Sequence, residues 1–159
     1  MVLRAESVRR GARAIFIALL LCVTLRAQDT SHQPPAPPAF DQQAASRLLL
    51  QLSESLQGHS QKQFFALFDL ARMKDGPLFK QQASSFFTQT ESIRVHLNLV
   101  DTSADGDKAS IAVDAEMEAE PRNGGPIARR NERLNFVVAN TGNSWKFIDV
   151  QSRSFFSLP

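Results

Sequence analysis

The apolar residues of this chain change their spacing once, and that change limits the possible folds more than any other feature. Between residues 45 and 87 they recur at steps of three and four, which is the repeat of an amphipathic helix. From Ile93 onward they recur at every second position, which is typical of strands with one buried face. Helices followed by strands that are joined through short loops predict an α+β domain with an antiparallel sheet.

Three helices are predicted before this change. The first covers residues 41–57, with Asp41 as its N-cap and Gly58 as its stop. The second opens at Ser60 with the spacing of a capping box. The third starts after Asp75-Gly76-Pro77, because proline is favoured in the first turn. Their apolar faces consist of Ala45, Leu48, Leu49, Leu52 and Leu56, then Phe64, Phe65, Phe68 and Ala71, then Phe79, Ala83, Phe86 and Phe87.

Four strands are predicted after the change, separated by turns at 104–107, 123–126 and 141–144. The third strand runs from Ala128 to Ala139, and the fourth runs from Trp145 to about Phe155. Side chains alternate between the two faces of a strand, so each strand presents one face to the helices. The face expected to pack under the helices carries Val95, Leu97, Val113, Ala115, Phe136, Trp145 and Phe147.

Residues 1–27 have the pattern of a signal peptide. A segment with four arginines precedes residues 14–25, which carry no charge and are too short to span a membrane that needs about 20 apolar residues. Ala27 supplies a small residue for cleavage. Residues 28–40 follow as a Pro-rich, extended linker, and residues 41–159 as a single domain. The alternative is a signal that is retained as a short anchor, which is the only membrane contact expected.

The excess of positive charge lies in the predicted signal. The chain has 18 Lys and Arg against 16 Asp and Glu, but residues 1–27 hold five arginines and one glutamate, which leaves 13 basic and 15 acidic residues. A positive charge that is removed with a signal gives no reason to expect a nucleic-acid partner.

The only cysteine, Cys22, also lies in the predicted signal. The exported part therefore offers no disulfide, no thiolate nucleophile and no thiolate metal ligand. Its stability must come from a packed core. That core is expected to be rich in phenylalanine, since the chain has 12 Phe and no Tyr.

The order of these elements, and the closing stretch from Gly142 to Val150 with its Gly-x-x-Trp pattern, give the chain a family resemblance. Residues 41–156 resemble the nuclear transport factor 2-like superfamily. The resemblance implies three helices packed on a curved, four-stranded antiparallel sheet, a cystatin-like cone with a pocket at its wide end. That family contains isomerases, dehydratases, hydrolases and binding domains, so the resemblance does not determine the function. Its ketosteroid isomerases and scytalone dehydratases rely on tyrosine hydroxyls, which this chain lacks.

Two acids are the candidates for catalysis. Strand alternation places Asp149 on the face of Trp145 and Phe147, where burial among aromatic rings would raise its pKa. The alternative for Asp149 is a bulge that turns it outward. Asp69 could approach the pocket mouth, or could pair with a neighbouring base as an exposed charge. Together with Arg94 these acids are the nearest imitation of the Asp-Arg-Asp arrangement of limonene-epoxide-hydrolase-like members.

The other polar side chains have simpler interpretations. His96 is expected on the polar strand face, towards solvent or a dimer partner. A row of acids on the second strand faces arginines on the third, which favours cross-strand ion pairs over a calcium site. The acids are Asp114, Glu116, Glu118 and Glu120, and the arginines are Arg129, Arg130 and Arg133. No zinc spacing, phosphate loop or nucleophile motif occurs in the sequence, so no metal or cofactor is predicted.

These observations favour an exported, non-enzymatic domain that binds a small apolar ligand or a protein partner in the cell envelope. The alternatives are a small-molecule lyase, isomerase or hydrolase that uses a pocket carboxylate, and a homo-oligomeric association module. The expected ligand-binding residues are Phe64, Phe68, Phe87, Trp145 and Phe147. A homodimer would form through an outer-face patch of Val137, Ala139, Ile148 and Val150, unless the Pro-rich linker or residues 154–156 fold back and cover that patch.

We expect cleavage near Ala27 and export, because the basic segment and the short apolar stretch are the two parts of a signal peptide. N-terminal sequencing of protein recovered from the cell envelope checks this. A chain that retains Met1 and stays in the soluble cytoplasmic fraction would contradict it.

Overall fold

The computed structural model describes residues 39–158, and in them three helices precede four strands, as predicted. The helices are α1 (Gln42–Gln57), α2 (Gln61–Ala66) and α3 (Gly76–Gln89). The strands are β1 (Thr90–Asp105), β2 (Lys108–Pro121), β3 (Ala128–Asn140) and β4 (Trp145–Gln151), followed by a short 3-10 helix (Arg153–Phe156). They form one antiparallel sheet in the order β1-β2-β3-β4. The predicted signal and residues 28–38 of the predicted linker lie outside the described residues.

Helix α1 begins and ends where the sequence predicts. The Asp41 carboxylate accepts a hydrogen bond from the Ala44 amide at 2.7 Å, which satisfies one of the free N–H groups of the first turn. The Gly58 amide closes the other end by donating to the Glu54 carbonyl at 2.8 Å. The apolar face of α1 is buried as predicted. Within the described part, no helix is long and apolar enough to cross a membrane.

Helix α2 is shorter than the apolar pattern suggests. Ser60 makes no capping hydrogen bond with its side chain, and the helix ends at Ala66, so Ala71 is exposed instead of belonging to its apolar face. The chain leaves the helix because the next residues pair with β4. The Asp69 amide donates to the Phe147 carbonyl, and the Phe147 amide donates to the Leu67 carbonyl, both at 2.9 Å. Residues 67–69 thus cover the outer edge of β4.

Helix α3 depends on a close approach of two backbone segments at its start. Gly76 is buried, and a Cβ atom at this position would collide with the carbonyl of Leu70. Pro77 follows in the first turn, as predicted. The predicted apolar face of α3 is buried in full.

The sheet curves over the helices, and its strands carry bulges. A bulge between Leu99 and Asp101 interrupts the pairing of β1 with β2, and another interrupts the pairing of β3 with β4. Bulges bend a strand and increase its twist. The face predicted to pack under the helices does so, with every member buried or half-buried. The core also includes Phe40, which the sequence assigns to the linker and whose ring packs edge-on against Trp145 at 4.8 Å.

Replacing Asp41 with alanine should lower the free energy of unfolding by about 1 kcal/mol, because the first turn of α1 loses its cap. Asp41→Asn is the matched control and should retain most of the stability, since an asparagine oxygen also accepts the bond. Urea denaturation of the two variants measures the difference. An unchanged free energy of unfolding in Asp41→Ala would show that the cap contributes nothing.

Candidate functional site

Four of the five predicted ligand-binding residues lie in the core. Phe64, Phe68, Phe87 and Phe147 are at most 4% exposed. The ring of Phe64 lies 4.9 Å from that of Phe68 and 5.3 Å from that of Phe87, and Phe68 lies 5.1 Å from Phe147. Trp145 is half-exposed and packs on Phe40. These aromatic side chains therefore contact one another where a ligand would have to sit.

The end of the chain fills the remaining space between helices and sheet. Phe155 and Phe156 belong to the 3-10 helix and are at most 1% exposed. The ring of Phe156 lies 5.6 Å from Phe64 and 5.8 Å from Phe79. The sequence predicted a longer β4 here, or a segment that covers the outer face. Instead Ser152 adopts a left-handed conformation (φ 64°), which ends the strand and turns the chain inward.

Asp149 is turned away from the aromatic core by a β-bulge. On β4, Phe147 pairs with Val138 and Asp149 pairs with Val137, so Ile148 is an extra residue. The extra residue reverses the alternation that would have placed Asp149 beside Phe147. The Asp149 carboxylate accepts a hydrogen bond from Arg153 at 2.9 Å and is 39% exposed. It is a paired surface acid.

The same bulge removes one member of the predicted homodimer patch. Val150 is 2% exposed and belongs to the core, because the extra residue turns it inward. Ala139 is also fully buried, and Val137 and Ile148 are half-exposed. The prediction of an outer patch formed by Val137, Ala139, Ile148 and Val150 is therefore wrong, and the strict alternation on which it rested fails at Ile148.

Asp69 serves the backbone turn after α2. Its carboxylate accepts a hydrogen bond from the Arg72 amide at 3.3 Å, and its own amide pairs with Phe147. The guanidinium of Arg72 instead donates to the Asn140 carbonyl at 3.2 Å and lies 3.9 Å from Asp107. Asp69 and Asp149 thus have separate partners. Arg94 pairs with Glu118 at 3.7 Å, so the three members of the Asp-Arg-Asp imitation have separate partners.

The outer face of the sheet carries two of the predicted cross-strand ion pairs, whereas Arg130, which was also expected to pair with the acids of β2, pairs with Glu132 instead. Glu118 lies between two arginines, with Arg129 at 2.8 Å and Arg94 at 3.7 Å. Further along the same strands, Arg133 donates to both oxygens of Asp114, from Nε to Oδ1 at 2.9 Å and from Nη2 to Oδ2 at 3.1 Å. These hydrogen bonds, assisted by the positive charge, lower the pKa of the Asp114 carboxyl. Within residues 39–158, no three His, Cys, Asp or Glu side chains come together as a metal site.

One charged pair faces the helices, and sequence reasoning missed it. Arg130 has the same strand parity as the buried Leu134, and its Nη1 lies 3.4 Å from Glu132 while its Nη2 donates to the Ser157 carbonyl at 3.1 Å. The Arg130 Nε is buried and has no hydrogen-bond partner among the described residues. The sequence could have predicted this position, because side chains alternate along β3 and Arg130 is four residues from the buried Leu134, which places both on the inner face.

Two large depressions lie on the surface, and both include β1. The first, of about 510 Å³, is lined mainly by outer-face residues, with Met117 and Arg130 of the inner face also contributing; the outer-face residues are Arg94, His96, Glu116, Glu118, Arg129 and Asn131. The second, of about 470 Å³, is a groove between α1 and the edge of β1 and is lined by Ser46, Leu49, Leu50, Ser53, Gln57 and residues 95–99. None of the five predicted ligand-binding side chains lines either depression.

Comparison with known proteins gives similarity in structure only. No protein-family model matches the chain, and no curated protein matches it. A solved structure of a proposed aromatic ring hydroxylase from Novosphingobium aromaticivorans is 18% identical, with a TM-score of 0.61 over 72% of this chain and 89% of that one. An NTF2-like superfamily protein from Salmonella enterica is 13% identical, with a TM-score of 0.60 over 69% and 87%. The chain has the nuclear transport factor 2-like fold.

The fold hosts different chemistries among these neighbours. A proposed scytalone dehydratase from Novosphingobium aromaticivorans is 14% identical to this chain, with a TM-score of 0.61 over 68% of this chain and 79% of that one. A proposed dehydratase and a proposed hydroxylase share the fold, so the nuclear transport factor 2-like fold alone assigns no reaction to this protein.

Replacing Arg133 with glutamine should raise the pKa of Asp114 back toward the ordinary value of about 3.9, because the two donated hydrogen bonds are lost. The folded-state pKa is the lower one, so the pair stabilises the protein above the unfolded pKa and ceases to do so as the pH falls through the folded pKa. The carboxyl-carbon chemical shift of Asp114, followed across pH, measures this. Arg129→Gln is the matched control and should leave Asp114 unchanged, and an equal shift in both variants would contradict the assignment.

Proposed function

We propose that this protein is an exported, non-enzymatic domain that binds a protein partner in the cell envelope through the surface around β1. The observation that carries the proposal is the distribution of space in the fold. The centre of the region between helices and sheet is filled by the protein's own aromatic rings, including Phe156, while the two largest depressions described lie on the sheet surface and at the edge between α1 and β1, and both include His96 of β1.

A small apolar ligand fits this arrangement less well. Phe64, Phe147 and Phe155 are fully buried, and a ligand among them would have to displace the 3-10 helix. That helix is held by its burial and by hydrogen bonds of its backbone, from Gln82 to the Arg153 carbonyl at 2.6 Å and from Arg130 to the Ser157 carbonyl. Burying one large apolar side chain stabilises a protein by about 1.5–3 kcal/mol, so the displacement of two would be costly.

A second candidate is an enzyme that uses a carboxylate on the inner face. The observation that favours it is Glu132, whose carboxylate lies 3.4 Å from Nη1 of Arg130, an arginine whose Nε is buried and has no hydrogen-bond partner among the described residues. An acid next to a fixed cation is an arrangement that active sites use. The candidate predicts that Glu132 is required for turnover of a small enone, epoxide or hydroxyl-bearing substrate.

Site-specific photocrosslinking separates these functions. A photoreactive amino acid is placed at Leu50 or His96, which line the two depressions, and at Leu78 or Lys62, which are exposed on other helices and line neither. In cells that export the protein, we expect positions 50 and 96 to capture one and the same polypeptide and positions 78 and 62 to capture none. Equal capture at all four positions, or none at 50 and 96, would contradict the proposal.

The enzymatic candidate has its own measurement. The unmodified protein and its Glu132→Gln variant are incubated with the substrate panel, and we expect no turnover by either. Turnover that Glu132→Gln abolishes would establish the enzyme in place of the binding domain, and Asp149→Asn is the control because that acid lies on the surface.

A further inference from the structure

The two edge strands of the sheet differ in whether another segment covers their backbone. Residues 67–69 pair with β4 and cover its edge. Strand β1 is 16 residues long and lies at the other edge, with β2 as its only strand neighbour among the described residues. Between Ile93 and Leu99, one side chain among the described residues bonds to the backbone of this edge: Gln57 Nε2 donates to the Val95 carbonyl at 3.1 Å.

This contact shows which backbone groups of β1 point outward. In an antiparallel pair, residues alternate between those that bond to the neighbouring strand and those whose N–H and C=O point away from it. The Val95 carbonyl accepts from α1, so Val95 is of the second kind. By alternation, the backbone N–H and C=O groups of Leu97 and Leu99 also point away from β2, while those of His96 and Asn98 bond to β2. Outside the strand ladder, no hydrogen bond to these groups of Leu97 and Leu99 is found among residues 39–158.

A groove without Asp, Glu, Lys or Arg lies directly beside this open edge, and its lining residues are half apolar and half polar. Its α1 wall carries Leu49 and Leu50, and Leu50 is 59% exposed, although most large apolar residues of this protein are buried. Its β1 wall carries the half-exposed Leu97 and Leu99. The volume of about 470 Å³ is within the range of sites that hold a ligand. Unpaired backbone groups next to a row of apolar side chains are the features that bind an extended peptide by strand addition.

A positive charge at one end of this edge, on Arg94, indicates which residue the bound peptide should carry opposite it. Arg94 projects from the outer face with its side chain 79% exposed, and its single ion pair, to Glu118, is long at 3.7 Å. In an antiparallel added strand, the residue opposite Arg94 lies close enough for a cross-strand ion pair. The groove itself holds no Asp, Glu, Lys or Arg.

We propose that β1 binds an extended segment of the partner protein as an additional antiparallel strand. Its side chains alternate between apolar residues, which enter the groove against Leu50, and polar residues, and an acidic residue lies opposite Arg94. The proposal deepens the proposed function, on which it rests, by naming the partner chemistry. The Pro-rich linker of the chain itself is a poor occupant, because Pro34, Pro35, Pro37 and Pro38 have no N–H to donate.

The test uses an array of synthetic heptapeptides and the purified full-length protein. Odd positions are Val, Leu, Ile or Phe, the second and fourth are Thr, Ser or Asn, and the sixth is Asp or Glu. We expect members of the array to bind and to slow amide exchange at Leu97 and Leu99. The amides of His96 and Asn98, which already bond to β2, should not change. The control peptides are identical but methylated on the third and fifth amide nitrogens, which removes two donors and keeps the side chains, and they should not bind.

Two variants of the protein match each other. Leu50→Glu places a charge in the groove and should weaken binding about tenfold or more. Leu78→Glu makes the same change at a residue that is 63% exposed on α3, outside the groove, and should leave binding unchanged. Arg94→Glu should shift the preference of the array from an acid to a lysine at the sixth position.

Each other outcome overturns the inference in a recognisable way. Equal binding of the methylated peptides excludes strand addition. Concentration-dependent self-association that slows exchange at Leu97 and Leu99 without peptide identifies a second copy as the occupant. Failure of the whole array while position 50 still captures a polypeptide in cells leaves the proposed function standing and excludes this mode of binding. Failure of both measurements removes the proposed function as well.

Discussion

The fully buried ring of Phe64 is the contact on which the rest of the structure depends. It lies on α2, a helix of six residues without a side-chain cap, which would not be stable alone. Its ring contacts Phe79 and Phe87 of α3 at 6.3 and 5.3 Å, and Phe156 at the end of the chain at 5.6 Å. One side chain therefore connects a short helix, a longer helix and the C-terminal segment, and the sheet closes over them through Phe68 and Phe147.

This packing decides where the protein can bind anything. In this protein the interior between helices and sheet is occupied by the chain's own rings, among them Phe64 and Phe156. The inner face still carries the Arg130–Glu132 pair, whose position next to the Ser157 carbonyl ties it to the C-terminal segment. The arginine thus holds the segment in place, and the larger accessible spaces lie on the outside of the sheet and along α1.

Much of the fold could be predicted from the sequence, because it follows from local periodicity. The order of elements, the cap at Asp41, the buried face of α3 and the cross-strand pairs of β2 and β3 all depend on spacing alone. The predictions that were wrong depend on a β-bulge of one extra residue and on pairing between segments that are distant in sequence. The extra residue Ile148 leaves no mark in composition, yet it exchanges the faces of Asp149 and Val150. The early end of α2 depends on Phe147, which is distant in sequence.

The candidate site was harder to predict for the same reason. Aromatic residues at the right spacing indicate a buried face, but they do not show whether that face surrounds a cavity or fills it. The answer here depends on Ser152, whose left-handed backbone directs Phe155 and Phe156 inward. The exposure of Leu50 was equally hidden, because α1 has leucines at three consecutive positions, 48–50, and a helix can bury only part of such a run.

The contrast between the two sheet edges explains why the exposed Leu50 is of interest: it lies beside the edge that is not covered. An open strand edge is a risk for a soluble protein, and edges are usually protected by a covering segment, by proline or by charges that point into the pairing region. Strand β4 has the first kind of protection, from residues 67–69. Between Ile93 and Leu99, β1 has no proline and one charged residue, Arg94, whose side chain projects from the outer face. The single protecting contact comes from Gln57, an exposed side chain that a peptide amide can replace at the Val95 carbonyl without leaving a buried polar group unpaired. A removable cap over an otherwise unprotected edge, beside an exposed leucine, is consistent with a strand that is completed by another chain.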